Sequence, residues 1–300
     1  MSKTPPAKGL IALLRLPYWL MTGGLALLTA FAITKGNFAT WQVVPLIFFS
    51  MACITSAGFA INDYFDKESD AVIKPKRPIP SGALTLKQVI AVSTVLFALG
   101  LVLATFINWL SFEILAVDSA LLLVYSWLVK RKSGFAANVL VGILTGTAFL
   151  FGEAGTLGSD IASPLSLSLV SWSLYPIAFG TIGGNVLRDI LSLEGDSKVG
   201  YPTLPQKIGN LNSAKVAAIF FVACGLLAPL PFVIGEFSIY YLPLILIWSV
   251  LLIYSSVRLV TSASTAANVR KYERIITMSM ILLPLALILE ALSKAIGALL

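Results

Sequence analysis

Histidine is absent from this 300-residue chain, and cysteine occurs only twice, at Cys53 and Cys224, both inside apolar runs. These absences exclude a disulfide framework and a Cys/His metal site. Charge is scarce as well. Asp, Glu, Lys and Arg make up 12% of the residues, against roughly a quarter in a soluble domain. What fills the chain instead is apolar: 58% of it is hydrophobic and the mean hydropathy is +0.91. The composition is that of an integral membrane protein. The basic start "MSKTPPAKGLIALLRLPYWL" has no small-residue cleavage site after a short core and runs into a full-length apolar span, so it reads as a retained helix, not a signal peptide.

Nine stretches approach the roughly 20 residues needed to span a bilayer: 16–34, 42–62, 87–108, 112–130, 137–153, 165–190, 214–234, 239–258 and 272–292. The fold expected is all-α, a polytopic membrane bundle of about nine transmembrane helices around a central cavity. The fifth stretch, "NVLVGILTGTAFLFGEAG", is rich in Gly and Thr, which suits a helix packed inside the bundle.

The basic residues set an orientation. Of the 21 Lys and Arg, 19 fall at the N-terminus or around the loops that follow even-numbered spans, leaving Lys35 and Lys294 for the other face. The positive-inside rule then puts the N-terminus and those loops in the cytoplasm and the C-terminus outside. The net charge of +7 is thus a topology signal. Spread over loops without forming one stripe, it does not indicate nucleic acid. No obligate protein partner is inferred.

The second span ends in "NDYFDKESD", with four acids in nine residues, and the sixth ends in "RDILSLEGD". At an offset of 126, Asp63 lies over Asp189, Asp66 over Ser192 and Asp70 over Asp196, and a Pro-containing turn follows each motif. Four spans separate the copies, so 16–130 and 137–258 read as parallel repeats of one transmembrane domain covering 1–300, with 272–292 added.

Within the first motif, Asp63, Asp66 and Asp70 stand at i, i+3 and i+7, on one helical face, with Asn62 one turn before Asp66. They repel one another, and a helix C-terminus disfavours anions. Single acids flanking membrane helices are commonly just solvated. Three on one face, echoed by Asp189 and Asp196, point to a divalent cation, and all-oxygen ligands select Mg²⁺. Magnesium on few carboxylates completes its shell with water and phosphates. Bases lie nearby: Lys67, Lys74, Lys76, Arg77, Lys130, Arg131, Arg188 and Lys198. Acids and bases beside an apolar bundle suit a diphosphate carried with Mg²⁺ and bearing a long hydrocarbon tail.

"NDYFDKESD" fits the NDxxDxxxD motif of the UbiA family of intramembrane prenyltransferases, and "DILSLEGD" resembles the second acidic motif of that family. "YSWLVK", Tyr125 to Lys130, is similar to the Tyr-and-Lys segment that closes the family's fourth helix. Within the family, "KRPIPSG" and "RDI..LEGD" most resemble the digeranylgeranylglyceryl phosphate synthase branch, with chlorophyll synthases second. The resemblance implies an Mg²⁺-dependent transfer of a prenyl group, geranylgeranyl by preference, from its diphosphate to a lipophilic acceptor, best matched by geranylgeranylglyceryl phosphate. Alternatives are a chlorophyllide or aromatic quinone-precursor acceptor, or a terpene cyclase of the same fold acting on the diphosphate alone.

The roles follow. Asp63, Asp66, Asp70, Asp189 and Asp196 are the expected metal ligands, and Asp63, Asp66, Lys130 and Asp189 the catalytic set. Asn62, Lys67, Arg77, Tyr125, Lys130, Arg131, Arg188 and Lys198 are the expected diphosphate ligands. Two departures from the family stand out: Ser192 replaces a third carboxylate, and in "LLRLPYWLM" Tyr18 replaces an Asn. Arg15, Tyr18 and Ser192 are accordingly the candidate acceptor-side or second-motif-departure positions, Tyr18 standing near the acceptor side in the family and Ser192 leaving the second motif one carboxylate short. Tyr64, Phe65, Tyr125 and Trp127 are candidate shields for an allylic cation, and Asp118 is a candidate base inside the membrane. A transporter is the other class with repeats and embedded acids, but no paired mid-membrane helix break is legible.

Overall fold

The computed structural model describes residues 5–38, 40–158, 167–198, 200–261 and 265–297. Residues 1–4, which hold the N-terminal Lys3, and the C-terminal residues 298–300 lie outside the described residues. Among the described residues, eight helical stretches are long and apolar enough to cross a membrane: Pro6–Thr34, Val43–Phe65, Leu86–Thr105, Trp109–Lys132, Gly134–Ala154, Leu204–Val233, Leu242–Thr261 and Ala266–Ala291. The expected sixth span lies between the fifth and sixth of these, and it differs from expectation. It is broken into Leu169–Leu174, a 3₁₀ turn Tyr175–Ala178 and Phe179–Leu191. Pro176 is the reason, since it lacks an N–H and its ring clashes with the preceding turn. Residues 165–166 of that stretch are outside the described residues. The seventh span starts earlier than expected because a helical turn from Leu204 precedes a bend at Gly209.

Ends are fixed by side chains. Thr85 and Gln88 form a reciprocal capping box at the start of the third span, with Gln88 Oε1 2.8 Å from the Thr85 amide. Asn108 caps the fourth span through Ser111 N at 2.8 Å and donates to Ala154 O at 2.6 Å, which ties the fourth span to the end of the fifth.

Each span packs on the next in sequence, and the ninth returns to the first, so the nine segments close into a ring. The first span also packs across the ring on the fifth. That contact divides the apolar interior in two. One core is built around Ile47, Met51, Ile54, Leu115 and Phe151 of the first five spans. The other is built around Val186, Phe221, Trp248 and Leu287 of the later spans. The first and fifth spans contribute to both, Ala30 and Phe151 to one core, Ala32 and Phe149 to the other. The Gly and Thr content of the fifth span serves this position. A Cβ at Gly152 would overlap the Ala26 carbonyl of the first span, so only glycine permits that helix approach. With no strand among the described residues and membrane-length apolar helices throughout, the protein is an all-α integral membrane protein.

Candidate active site

Both acidic motifs sit where a long helix stops. Val43–Phe65 ends at Asp66, whose backbone leaves the helix (φ −88°, ψ 2°), and the short helix Lys67–Ile73 follows. Phe179–Leu191 ends at Ser192 (φ −101°, ψ 5°), and Leu193–Lys198 follows. The amide of each break residue still bonds four residues back, Asp66 N to Asn62 O at 2.9 Å and Ser192 N to Arg188 O at 2.8 Å. The helical face inferred from spacing is therefore bent at its middle residue in both copies, while the acids flanking the break stay on one side.

In the first motif Asp63, Asp66 and Asp70 are all buried, at 3%, 6% and 4% exposure. Mutual repulsion was the expected problem, and the chain offsets it with its own bases. Arg15 Nη2 reaches Asp63 Oδ1 at 2.5 Å. Arg77 Nη1 bridges Asp63 Oδ1, at 3.0 Å, and Asp70 Oδ2. Lys130 Nζ pairs with Asp66 Oδ2. These are charge-assisted bonds between groups largely removed from water, so each partner is costly to leave alone. Among the described residues no three carboxylates converge as a ready metal-holding group. Arg15, an expected acceptor-side residue, thus stands at the first acid of the motif. Its guanidinium also lies 4.3 Å from the centre of the Phe59 ring, against which Tyr18 packs edge-on at 4.6 Å.

Asn62 completes this cluster. Its Nδ2 donates to Asp66 Oδ2 at 2.9 Å, while its buried Oδ1 has no hydrogen-bond partner. An orphaned amide oxygen beside carboxylates is a donor set of hard oxygens that fits Mg²⁺.

Tyr201, in the loop after the second motif, was not singled out from sequence. Its hydroxyl donates to Asp66 Oδ1 at 2.9 Å and lies 3.0 Å from Ser69 Oγ. Burial, with the Asp66 charge adding to it, pushes the phenol up to about 12, so it stays protonated and acts as a donor. The only local signal was its place beside the "PTLP" turn. Tyr125 opens a π-helical turn, Tyr125–Val129, that precedes Lys130 in the fourth span. Such turns shift side-chain direction and recur at functional sites. Tyr125 lies within electrostatic reach of both Asp66 and Asp189.

The second motif is held more lightly. Asn138 Nδ2, from the start of the fifth span, donates to Asp189 Oδ2 at 2.8 Å. Ser192 Oγ is 2.5 Å from Asp196 Oδ2 and 2.9 Å from Arg188 O. Asn138 carried no sequence signal, being one polar residue in an apolar stretch.

Several expected diphosphate ligands stand outside this cluster. Lys67 lies over Tyr64 (5.5 Å) and Arg131 over Phe65 (5.7 Å), with Arg131 Nη2 also donating to Phe65 O at 3.2 Å. The faces of those two rings are thus taken by neighbouring cations. Trp127 is 60% exposed, on the outer surface of the bundle. Arg188 is exposed and turns to Asn185, and Lys198 is exposed. Asp118 is buried and accepts from Thr147 Oγ1 at 2.7 Å, joining the fourth and fifth spans. It stands 12 residues before Lys130, roughly 18 Å of helix from the backbone of that base.

Comparison with known proteins agrees with this architecture. A curated relative from Natronomonas pharaonis, named digeranylgeranylglyceryl phosphate synthase, is 36% identical over 235 residues, covering 78% of this chain and 81% of the relative. A solved structure concerned with digeranylgeranylglyceryl phosphate synthase in membranes is similar at a TM-score of 0.81 and 28% identity, covering 96% of this chain and 99% of that one. A UbiA homolog from Archaeoglobus fulgidus bound to GPP and Mg²⁺ shares the fold at a TM-score of 0.65 and 19% identity, covering 93% and 99%. The family model of the UbiA prenyltransferases matches residues 24–283. With both acidic motifs inside that match, the chain belongs to the UbiA prenyltransferase family and is a prenyltransferase.

Proposed function

We propose that this prenyltransferase moves a geranylgeranyl group from its diphosphate to geranylgeranylglyceryl phosphate at the membrane surface. The observation that carries the reading is the matching of Asp63, Asp66 and Asp70 to Arg15, Arg77 and Lys130, bases drawn from three separate segments. The acceptor rests on likeness to the Natronomonas relative and to the structure at 28% identity.

Asp63, Asp66, Asp70 and the Asn62 amide oxygen would hold Mg²⁺, with Asp189 and Asp196 supplying a second set. Mg²⁺ held there would neutralise diphosphate charge and so favour departure of the leaving group. Arg15, Arg77 and Lys130 exchange their carboxylate partners for diphosphate oxygens, and their fixed positive charge stabilises the leaving group as it forms. The C–O bond to the allylic carbon breaks with its electron pair going to the diphosphate. The acceptor hydroxyl oxygen then bonds to that carbon and its proton passes to the departed diphosphate, the base that the step itself releases. Tyr125, at the π-helical turn before Lys130, would help to orient the diphosphate between the two motifs. The two motifs and the N-terminus face the cytoplasm, and the two helix-motif units are parallel repeats.

Purified protein in lipid nanodiscs, given geranylgeranyl diphosphate and Mg²⁺ with and without geranylgeranylglyceryl phosphate, tests the reading by mass spectrometry. A joined ether lipid only with both substrates is the expected result. Hydrocarbon released from the diphosphate alone would make the protein a cyclase.

A further inference from the structure

We infer that Tyr201 is a positioning residue for Asp66, reaching across from the second half of the molecule to fix a carboxylate of the first; this rests on the diphosphate reading above. The chain is turned toward Asp66 by Gly200, whose φ of 71° is a conformation that glycine adopts freely. The turn is closed by Tyr201 N on Asp196 O at 3.1 Å and Thr203 N on Tyr201 O at 2.9 Å. The residue that follows the second motif is thereby anchored to that motif's last acid and aimed at the first motif.

Tyr201 then grips both members of one ion pair. Its hydroxyl donates to Asp66 Oδ1 at 2.9 Å. Its ring lies 5.2 Å from the Lys130 ammonium, the base paired with Asp66 Oδ2. The two grips differ in what an incoming diphosphate does to them. Lys130 is a cation and is drawn to the phosphate oxygens, which removes its hold on Asp66. The phenol is neutral, is attracted far less by the anion, and does not repel a divalent cation. Tyr201 and Asn62 thus keep the carboxylate oriented after Lys130 has let go. The first motif therefore depends on the second half for its geometry, although among the described residues no carboxylate of the second half bonds to it.

The test is Tyr201→Phe, which keeps the ring over Lys130 and removes only the hydroxyl. Mn²⁺ binding to the purified full chain, measured by electron paramagnetic resonance with inorganic diphosphate present, is expected to weaken about ten-fold, as for one lost hydrogen bond to a charged group. The Mg²⁺ concentration for half-maximal rate rises by the same factor, and the rate at saturating Mg²⁺ stays within about three-fold. In an Asp66→Asn background, Tyr201→Phe adds nothing further to the Mn²⁺ change, because the phenol acts through that carboxylate. Unchanged Mn²⁺ binding in Tyr201→Phe, or an additive loss on top of Asp66→Asn, overturns the inference. So does a variant that unfolds or melts much earlier, since the hydroxyl would then be holding loops together. Wild-type protein that neither binds Mn²⁺ with diphosphate nor transfers a prenyl group defeats the diphosphate reading itself, a separate outcome.

Discussion

The two acidic motifs share a backbone and differ in company. Each is a long helix stopped at the same relative residue, Asp66 or Ser192, with nearly the same dihedral angles and a short helix after it. Around the first, three buried acids meet three bases, a phenol and an amide. Around the second, Asp189 has Asn138 and Asp196 has Ser192, and among the described residues no Lys or Arg forms an ion pair with either. A repeated backbone thus carries two electrostatic states. The first is charge-balanced without metal. The second holds uncompensated negative charge, partly open to water, and is the half with more to gain from a cation.

The largest effect that separates the two halves is on turnover. Asp66→Asn removes the acid bonded by Lys130, Asn62 and Tyr201, and is expected to lower the rate by about 10²–10³ while the protein stays folded in detergent. Asp196→Asn, at the half-exposed end of the second motif, is expected to cost several-fold less. Equal losses in a prenyl-transfer assay would show that both halves carry the same burden.

A second separation is in stability. Arg77→Leu leaves Asp70 without its base and Asp63 with Arg15 alone, and a broken buried pair costs several kcal/mol. Because Arg77 keeps 20% of its side chain exposed, about 2 kcal/mol is expected, read from denaturant or thermal melts without Mg²⁺. Arg188→Leu, at an exposed side chain of the second motif, is expected to stay within about 0.5 kcal/mol. A comparable loss in both variants would erase the contrast.

The contrast also marks what the sequence could disclose. The i, i+3, i+7 spacing of Asp63, Asp66 and Asp70 and the 126-residue echo are local or periodic facts of the sequence; the fold bends that face at Asp66 and has a matching bend at Ser192. The pairing of Asp63 with Arg15 and of Asp66 with Lys130 is no such fact, because those partners lie 48 and 64 residues away and only the packing of the second span against the first and the fourth brings them together. Tyr201 is 135 residues from Asp66 and had no motif to announce it. The bends at Asp66 and Ser192 were hidden by apolar and acidic patterns that continue through them. The break at Tyr175–Ala178 was announced by Pro176, yet the run of apolar residues around it outweighed that one residue.

A smaller effect concerns Asn138. It stands at the start of the fifth span and holds Asp189 much as Arg15, near the start of the first, holds Asp63. Asn138→Ala removes one hydrogen bond to a carboxylate and is expected to lower the transfer rate about ten-fold. Asn138→Arg imitates the first half, and is expected to raise the Mg²⁺ concentration needed for half-maximal rate by giving Asp189 a competing cation. A lowered requirement would mean that the arginine serves the diphosphate before it serves the acid.

The smallest expected effect is at Ser192, where the second motif departs from the first at its middle position. Ser192 Oγ now lies 2.5 Å from Asp196 Oδ2 and is exposed to water. Ser192→Asp replaces that hydrogen bond by a second carboxylate, without any of the three bases that balance Asp66 and its neighbours. In the absence of a divalent ion the added repulsion is screened by solvent, so stability falls by less than about 1 kcal/mol. With Mg²⁺ present, three acids stand where two stood, and the cation gains a ligand it can share with Asp189 and Asp196. The variant is therefore expected to retain activity and to need a few-fold less Mg²⁺ for half-maximal rate, measured by titrating both proteins in the prenyl-transfer assay. Ser192→Ala separates the two contributions, since it removes the hydroxyl without adding charge and is expected to leave the Mg²⁺ requirement near that of the parent. If Ser192→Asp loses rate with an unchanged or higher requirement, the extra charge is repelling a phosphate-bearing acceptor or the diphosphate. Ser192 then belongs to the acceptor side, and the two halves divide their labour by substrate instead of by cation.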